Sequence, residues 1–419
     1  MKKIPLGFAT VALIASSALQ AGGDIKPDEE VTVIAAPNAL ADAFKNGTVS
    51  GQIRAGYIKH TLELSGEPDS FSTALGGQLK YETGKFYGFD FGVAFYTSHA
   101  IDALSGDEDE GKFDEGFTSV DGHYDLLAEA YLDYSYKDFK IRGGRHLIDT
   151  PYADSDDIRM TPNTFESILA TYGYNDFTFI AAYLTRWQGP DAEEYEFVDL
   201  LDDGNGIALA AATYASETIE AGVWYYGADN NADVIYADAI STYTVFDGID
   251  LTGGLQFASQ SEKNNSGYDS SLYGAKAEIA FSGLTLGGAY VAIDVDEGKK
   301  YFAGFGGGVG FTNMQEYTAG TFTLSQSADS WKIAAVYDFS ELGISGLTVG
   351  YDYGKLKGDK YGEIEEQDLV IAYAPSDEWD IELVYAKIED VHKDIEADEL
   401  GNPVDLSFDR LLVRANYNF

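Results

Sequence analysis

The chain offers few side chains for covalent or metal chemistry. It contains no Cys, which removes thiol catalysis, thiolate metal ligands and disulfide bonds. Its five His residues show no His-Glu-x-x-His spacing, and no Gly-x-Ser-x-Gly nucleophile motif occurs. The Gly-rich segment 304–310 lacks the Lys of a phosphate-binding loop. The sequence therefore predicts neither an enzyme nor a bound cofactor.

Charge is the chemistry that remains. The chain has 70 acidic and 27 basic residues, a formal net charge of −43, and such a surface repels nucleic acid. Three acidic clusters stand out, and we interpret them as solvated loops. Loosely bound divalent cations that bridge these clusters to lipopolysaccharide or to neighbouring loops are the alternative. The clusters comprise Asp107–Glu110 with Asp114 and Glu115; Asp191, Glu193, Glu194, Glu196, Asp199, Asp202 and Asp203; and Asp394, Glu396, Asp398, Glu399 and Asp405.

The segments between these acidic clusters alternate between apolar and polar residues with a period of two. Phe89, Phe91, Val93 and Phe95 alternate with small or polar residues, and many segments of about ten residues repeat this pattern. Strict alternation predicts β-strands with one apolar face, and no helical periodicity of comparable length competes with it. We expect strands to begin near residues 48, 72, 89, 124, 139, 164, 177, 207, 218, 234, 250, 271, 284, 331, 347, 366, 380 and 407.

The connections between these strands alternate in length. Very short turns, such as 137–138 and 175–176, are followed by long segments, which include 100–123, 149–163, 187–206, 295–330 and 390–406. Transmembrane β-barrels show this asymmetry, with short periplasmic turns and long external loops. We therefore predict an all-β fold, a transmembrane antiparallel β-barrel of about eighteen strands, with sixteen as the alternative. A barrel of this width encloses an aqueous lumen.

Both ends of the chain agree with export to an outer membrane. Lys2 and Lys3 precede an apolar stretch and a small-residue segment that ends at Ala21, which predicts a cleaved signal peptide over 1–21. Residues 22–47 would form an N-terminal periplasmic segment and 48–419 the barrel. The last strand alternates up to Phe419, which resembles the C-terminal signal that the barrel-assembly machinery recognises.

Several basic residues occupy the strand positions that alternate with the apolar ones, and they therefore lie on the opposite face of the sheet. A charge on the lipid side at mid-membrane costs roughly 2–4 kcal/mol, so these side chains should point into the lumen. Barrel closure would place Arg410 and Arg414 beside Arg54 on one wall. Two roles stay open for this basic wall: guiding anionic solutes, or balancing the lumen acids Glu82, Glu129, Asp133 and Glu278. The basic wall comprises Arg54, Lys80, Lys140, Arg142, Arg410 and Arg414, and Lys276 and Lys332 also point inward by the same parity.

One segment resembles a known family. Residues 143–166 combine Gly144-Arg145, Thr150-Pro151, an acidic stretch with Arg159, and Pro162 followed by Phe165-Glu166. This order is similar to the segment after the fifth strand of OprD-type outer-membrane porins, in the version carried by Campylobacterota. His146 stands where the family pattern suggests Gln.

The resemblance implies a function and a constriction. In that family the third external loop folds into the barrel and narrows it, helped by the seventh, and basic lumen residues guide solutes with a carboxylate. The matching constriction residues here are Asp154, Asp156, Asp157 and Arg159, facing the basic wall across the narrowest part of the pore. We therefore expect a porin in the outer membrane of a Gram-negative bacterium that passes small hydrophilic solutes and ions, in particular carboxylate-bearing nutrients such as amino acids.

Alternatives to this function also follow from the sequence. A structural or adhesive surface barrel with little transport would show the same strand pattern. The expected partners are membrane lipid, lipopolysaccharide, the barrel-assembly machinery and the solutes themselves. The sequence leaves open whether the barrel is a monomer or a homotrimer.

Overall fold

The computed structural model describes residues 40–62, 68–192, 194–201, 204–246, 248–318, 325–393, 395–397 and 403–419. The predicted signal peptide and most of the predicted periplasmic segment lie outside these residues. A six-residue helix, α1 (Leu40–Lys45), precedes the first strand. Among the described residues, no helix is long and apolar enough to cross a membrane.

The chain is otherwise built from strands that pair in chain order. The main sheet contains 19 strands, one of which, Glu194–Asp199, only extends a hairpin beyond the others. Removing that arm leaves eighteen barrel strands, so the predicted count is confirmed, and no predicted start differs from the observed one by more than three residues. The barrel strands are β1 (Thr48–Leu62), β2 (Ser70–Glu82), β3 (Phe89–Ala100), β4 (His123–Tyr136), β5 (Phe139–His146), β6 (Thr164–Tyr174), β7 (Phe177–Gly189), β8 (Ile207–Ala215), β9 (Ile219–Ala228), β10 (Ala232–Phe246), β11 (Ile249–Glu262), β12 (Ser270–Phe281), β13 (Leu284–Val295), β14 (Ala328–Asp338), β15 (Leu347–Gly358), β16 (Glu363–Tyr373), β17 (Trp379–Asp390) and β18 (Phe408–Asn418).

The sheet closes on itself. Every neighbouring pair is antiparallel, and β1 pairs with β18 from Gln52↔Asn418 to Leu62↔Phe408. Closure removes the free sheet edges that would otherwise leave backbone groups unpaired in lipid. Because the number of strands is even, the start of β1 and the end of β18 lie on the same side, the side of the short turns. This is the periplasmic side in such barrels.

The connections at the opposite end are the external loops, which we number in chain order. Three of them matter for the lumen. They are the second loop (101–122), the third loop (147–163) and the seventh loop (296–327).

Along each strand, side chains point alternately out of and into the barrel, as the sequence predicted. In β1, Ile53 is 52% exposed on the outside, whereas Arg54 is 2% exposed on the inside. Outward positions form an apolar surface that suits lipid, and inward positions hold most of the charged side chains of the strands.

Candidate functional site

The third loop is a small structure of its own. Residues Asp149–Thr150 and Ala153–Asp154 form a two-stranded hairpin. The backbone N–H of Asp154 donates to the carbonyl of Phe305 in the seventh loop at 2.9 Å, and the N–H of Phe305 donates to the carbonyl of Tyr152 at 3.0 Å. The third and seventh loops are therefore joined by backbone hydrogen bonds, as a short sheet would be.

Two glycines make this close approach between the loops sterically feasible. Gly304 and Gly306 have φ of 86° and 95°, a region that residues with a Cβ seldom adopt. A Cβ on Gly304 would lie 2.7 Å from the Tyr152 carbonyl oxygen, and one on Gly306 would lie 2.4 Å from that of Asp154. The Gly-rich segment 304–310 thus has a packing role against the third loop.

An ion pair ties the third loop to β1. Arg54 Nη1 lies 2.6 Å from Asp157 Oδ1, and Arg54 Nη2 lies 2.7 Å from Asp157 Oδ2. The Arg54 Nε donates to Asn416 Oδ1 on β18 at 2.7 Å, and Nη1 also donates to the Arg159 carbonyl at 2.8 Å. Burial alone would raise the pKa of Asp157, but the charge and hydrogen bonds of Arg54 lower it below its ordinary value. The sequence placed Asp157 across the pore from the basic wall; the structure places it in direct contact with that wall.

The two arginines of β18 are also engaged by acids. Arg414 Nε donates to Glu382 Oε2 on β17 at 3.0 Å, and its Nη1 donates to the Arg159 carbonyl at 3.0 Å. Arg410, 2% exposed, pairs with Glu316 of the seventh loop. Both side chains therefore hold external loops against the lumen wall, in addition to any effect on solutes.

The remaining predicted wall residues lie on β2 and β5. Lys80 Nζ is 3.3 Å from Glu129 Oε2. Arg142 donates to both oxygens of Asp133, at 2.7 and 2.8 Å, and Lys140 Nζ is 3.2 Å from the same carboxylate. These ion pairs show that inward bases and acids balance each other, on neighbouring strands for Asp133 and across β3 for Lys80 and Glu129.

Arg159 differs from all of these residues. The one hydrogen bond of its side chain in the described structure runs from Nη1 to the neighbouring Ile158 carbonyl at 3.2 Å. No described carboxylate lies within 4.0 Å of its guanidinium, which Arg410 and the acids Glu316 and Asp191 influence from longer range. Burial and then the charge of Arg410 lower the pKa of Arg159 to about 10, so it stays protonated at neutral pH. A partly exposed cation without an acidic partner is suited to bind an anion.

Three carboxylates gather where the third and seventh loops meet the fourth external loop (190–206). Burial, and then the charges of nearby acids, raise the pKa of Asp154 to about 8 and that of Asp156 to about 7. Burial also raises the pKa of Asp191, whose Oδ2 accepts from Asn163 Nδ2 at 2.5 Å. These three carboxylates have no basic residue within 4.0 Å in the described structure. The described residues contain no group of three or more acidic or His side chains placed to hold a metal ion.

His146 is accommodated without the expected Gln. Its Nδ1 is 2.8 Å from the Leu147 carbonyl, and its Nε2 is 2.8 Å from Ser167 Oγ on β6. The ring is fully buried. Its two nitrogens thus bridge the end of β5 and the start of β6, where the third loop begins and ends.

Sequence reasoning missed an aromatic core inside the barrel. Tyr152 of the third loop packs against inward side chains of β9 and β10 and against Tyr301 and Phe302 of the seventh loop. On the other side, Phe117 of the second loop packs with Ile58 and Met160. A signal was available: the inward parity of β9 and β10 carries Trp224, Tyr226 and Tyr236, which are unusual choices for a wall that faces water.

The closed barrel, its asymmetric connections and its charged lumen define the protein as an outer-membrane porin channel for small solutes. A family model described as outer membrane porin, OprD family, matches residues 130–386. The chain therefore belongs to the OprD family, whose members reside in the outer membrane of Gram-negative bacteria. This confirms the family, the fold and the location that the sequence predicted.

Solved structures agree with the fold. Pseudomonas aeruginosa OccK9 (OpdG) superposes with a TM-score of 0.75 at 18% identity, covering 90% of this chain and 100% of that one. P. aeruginosa OpdK, solved with vanillate, gives 0.74 at 17% identity, with 90% and 99% covered. Acinetobacter baumannii OccAB3 gives 0.76 at 12% identity, also with 90% and 99% covered. No curated protein sequence matches the chain.

Proposed function

We propose that this porin is selective for small solutes that carry a carboxylate, amino acids among them, and that Arg159 is the group that receives the carboxylate. The third loop would fold into the barrel and form the constriction with Asp154, Asp156, Asp157 and Arg159. The observation that carries the proposal is the absence of an acidic partner for Arg159 among the described residues, whereas each basic residue of the predicted wall has one.

The contacts of the third loop support a constriction. Asp157 and the carbonyl of Arg159 bond to inward side chains of β1 and β18, although the loop itself connects β5 and β6. A segment that starts at one part of the wall and bonds to another must cross part of the lumen cross-section. The seventh loop narrows the same region, since Glu316 pairs with Arg410 and the N–H of Gln315 donates to Asp368 at 3.1 Å.

Electrostatics supports a preference for carboxylates with a second, cationic group. Arg159 has both cationic and acidic neighbours beyond 4.0 Å, while Asp154, Asp156 and Asp191 at the neighbouring loop junction have no described basic residue within 4.0 Å. A solute with a carboxylate and an ammonium group would meet Arg159 and these carboxyl groups within one constriction, and its ammonium group would favour their ionised form. The ion pairs Arg54–Asp157 and Arg410–Glu316 would hold the two loops in place for this purpose.

Block of the ion current tests the proposed selectivity. Purified protein in a planar bilayer should conduct ions, and benzoate added to one side should reduce the current at concentrations at which benzamide has no effect. Benzamide has the same ring and no charge, so it controls for steric block. Equal block by the two compounds would contradict carboxylate selectivity, and a barrel without any conductance would favour a structural or adhesive surface role.

A further inference from the structure

The outer surface of the barrel, which faces away from the lumen, carries an open trough. It is an open cavity of about 790 Å³ that spans β7 to β13. Its lining residues are mostly outward-facing, and its floor is made of small ones. Ala212, Ala221, Ala237 and Ala239 form this floor between larger side chains.

Strand register explains the shape of the trough. Ala221 pairs with Tyr214 on one side and with Ala239 on the other, and Ala239 pairs with Leu255. Two adjacent alanines are thus flanked by a tyrosine and by a leucine that is 67% exposed. In the neighbouring row, Ala237 pairs with Phe257. Missing side-chain volume at consecutive outward positions leaves a groove between aromatic and aliphatic ridges.

The trough begins at the periplasmic rim. Phe177 is the first residue of β7, directly after the short turn 175–176, and Tyr214 lies one residue before the end of β8. From there the lining runs towards Tyr290, near the middle of β13. Phe177 and Tyr214 at the rim match the interface, and the mainly apolar lining above them matches the acyl region of the periplasmic leaflet.

Charge at the rim favours one class of lipid headgroup. The turns beside the trough present the exposed side chains of Asp176 and Glu217. The sequence contains no Lys or Arg from Trp187 to Glu262, a stretch that includes β8, β9 and β10. An anionic headgroup would meet repulsion here, whereas a primary ammonium group would find two carboxylates.

We propose that this trough, lined by Ala221 and Ala239 between Tyr214 and Leu255, binds one acyl chain of a zwitterionic phospholipid whose ammonium headgroup lies at Asp176 and Glu217. The lipid belongs to the periplasmic leaflet and fills a gap that a smooth barrel surface would not have. Its bound chain covers the backbone where the outward side chains are smallest.

Filling the trough tests the proposal. Wild-type protein, extracted in mild detergent and washed, should retain phosphatidylethanolamine in native mass spectrometry and should bind it more tightly than phosphatidylglycerol. The double variant Ala221→Trp/Ala239→Trp should lose this binding by at least about tenfold, because each methylene group that loses burial weakens binding about fourfold. Ala335→Trp places the same side chain at an outward position of β14 outside the trough and should bind lipid like the wild type.

The outcomes separate lipid from other occupants. Unchanged conductance and heat-modifiable gel migration show that the trough variant is folded. Equal retention of phosphatidylethanolamine by the trough variant and the wild type overturns the proposal. Equal binding of the two phospholipids overturns the headgroup assignment, and a wild-type oligomer that the trough variant converts to monomers shows that a second copy occupies the trough instead.

Discussion

Arg54 and Asp157, 103 residues apart in the chain, form a two-point ion pair between the first barrel strand and the third external loop. The guanidinium is 2% exposed, and the carboxylate is 43% exposed towards the lumen. This pair fixes the position of the loop segment that also carries Arg159. The proposed role of Arg159 in the pore depends on that placement.

Breaking the pair should loosen the third loop without unfolding the barrel. Arg54→Ala leaves Asp157 without its two charge-assisted hydrogen bonds, which should cost about 1–3 kcal/mol in loop packing. We expect a larger and noisier single-channel conductance. Asp69→Asn is the control, because it removes the exposed ion pair with Lys59, 2.9 Å away, and such pairs contribute about 0–1 kcal/mol. A conductance trace for Arg54→Ala that matches the control would show that the pair does not hold the loop.

The loop junction should respond to pH between about 4 and 8. A free carboxyl group has a pKa of about 4, whereas the packed junction raises the pKa of Asp156 to about 7 and that of Asp154 to about 8. The packed state therefore binds more protons across this range, so raising the pH weakens the packing, and the effect levels off above about pH 8. Asp149, Asp157 and Asp191 add negative charge around the junction, and Arg159 and Arg414 partly offset it.

Gating records can test this pH dependence. Spontaneous opening and closing should become more frequent from pH 5.5 to pH 9 in the wild type. The double variant Asp154→Asn/Asp156→Asn should gate alike at both values, whereas Asp109→Asn, in the exposed part of the second loop, should behave like the wild type. Gating that changes with pH to the same degree in the junction variant would rule out these two carboxylates as the cause.

Docking of the seventh loop should depend on Gly306. Gly306→Ala adds a Cβ that would lie 2.4 Å from the Asp154 carbonyl oxygen and also strains a φ of 95°. Gly298→Ala is the matched control, since its φ is 75° and nothing lies within 4 Å of the added Cβ. We expect faster cleavage of the seventh loop by an added protease in Gly306→Ala than in Gly298→Ala. Equal cleavage rates would mean that the contact with the third loop does not protect this segment.

Much of the fold could be predicted from the sequence because barrel strands obey a strict local rule. Lipid on one side and lumen on the other impose alternation, so strand starts and the direction of Arg54 or Lys80 follow from parity alone. Loop placement has no such rule. The contact between Asp157 and Arg54 depends on which part of the barrel wall residues 147–163 reach, and this is a tertiary result that local pattern does not encode.

The candidate site shows the same division. The inward position of Arg410 followed from parity, but its partner Glu316 lies in a loop without alternation. The aromatic contact between Tyr152 and Tyr301 also joins two loops that are distant in the chain. Proposing Arg159 as the carboxylate receptor required the position of every acid nearby, which only the three-dimensional arrangement supplies.

Carboxylate block in Arg159→Gln tests the proposed selectivity most directly. Removing this cation of the proposed constriction, which has no described carboxylate within 4.0 Å, should weaken benzoate block of the ion current by about tenfold or more, the loss expected for a charge-assisted hydrogen bond of about 1.5–3 kcal/mol. Arg186→Gln removes one positive charge at the external rim, where Arg186 lies 3.5 Å from Asp199, and should leave the block unchanged. Benzoate block in Arg159→Gln that equals the wild-type value would contradict the assignment of Arg159 as the carboxylate receptor.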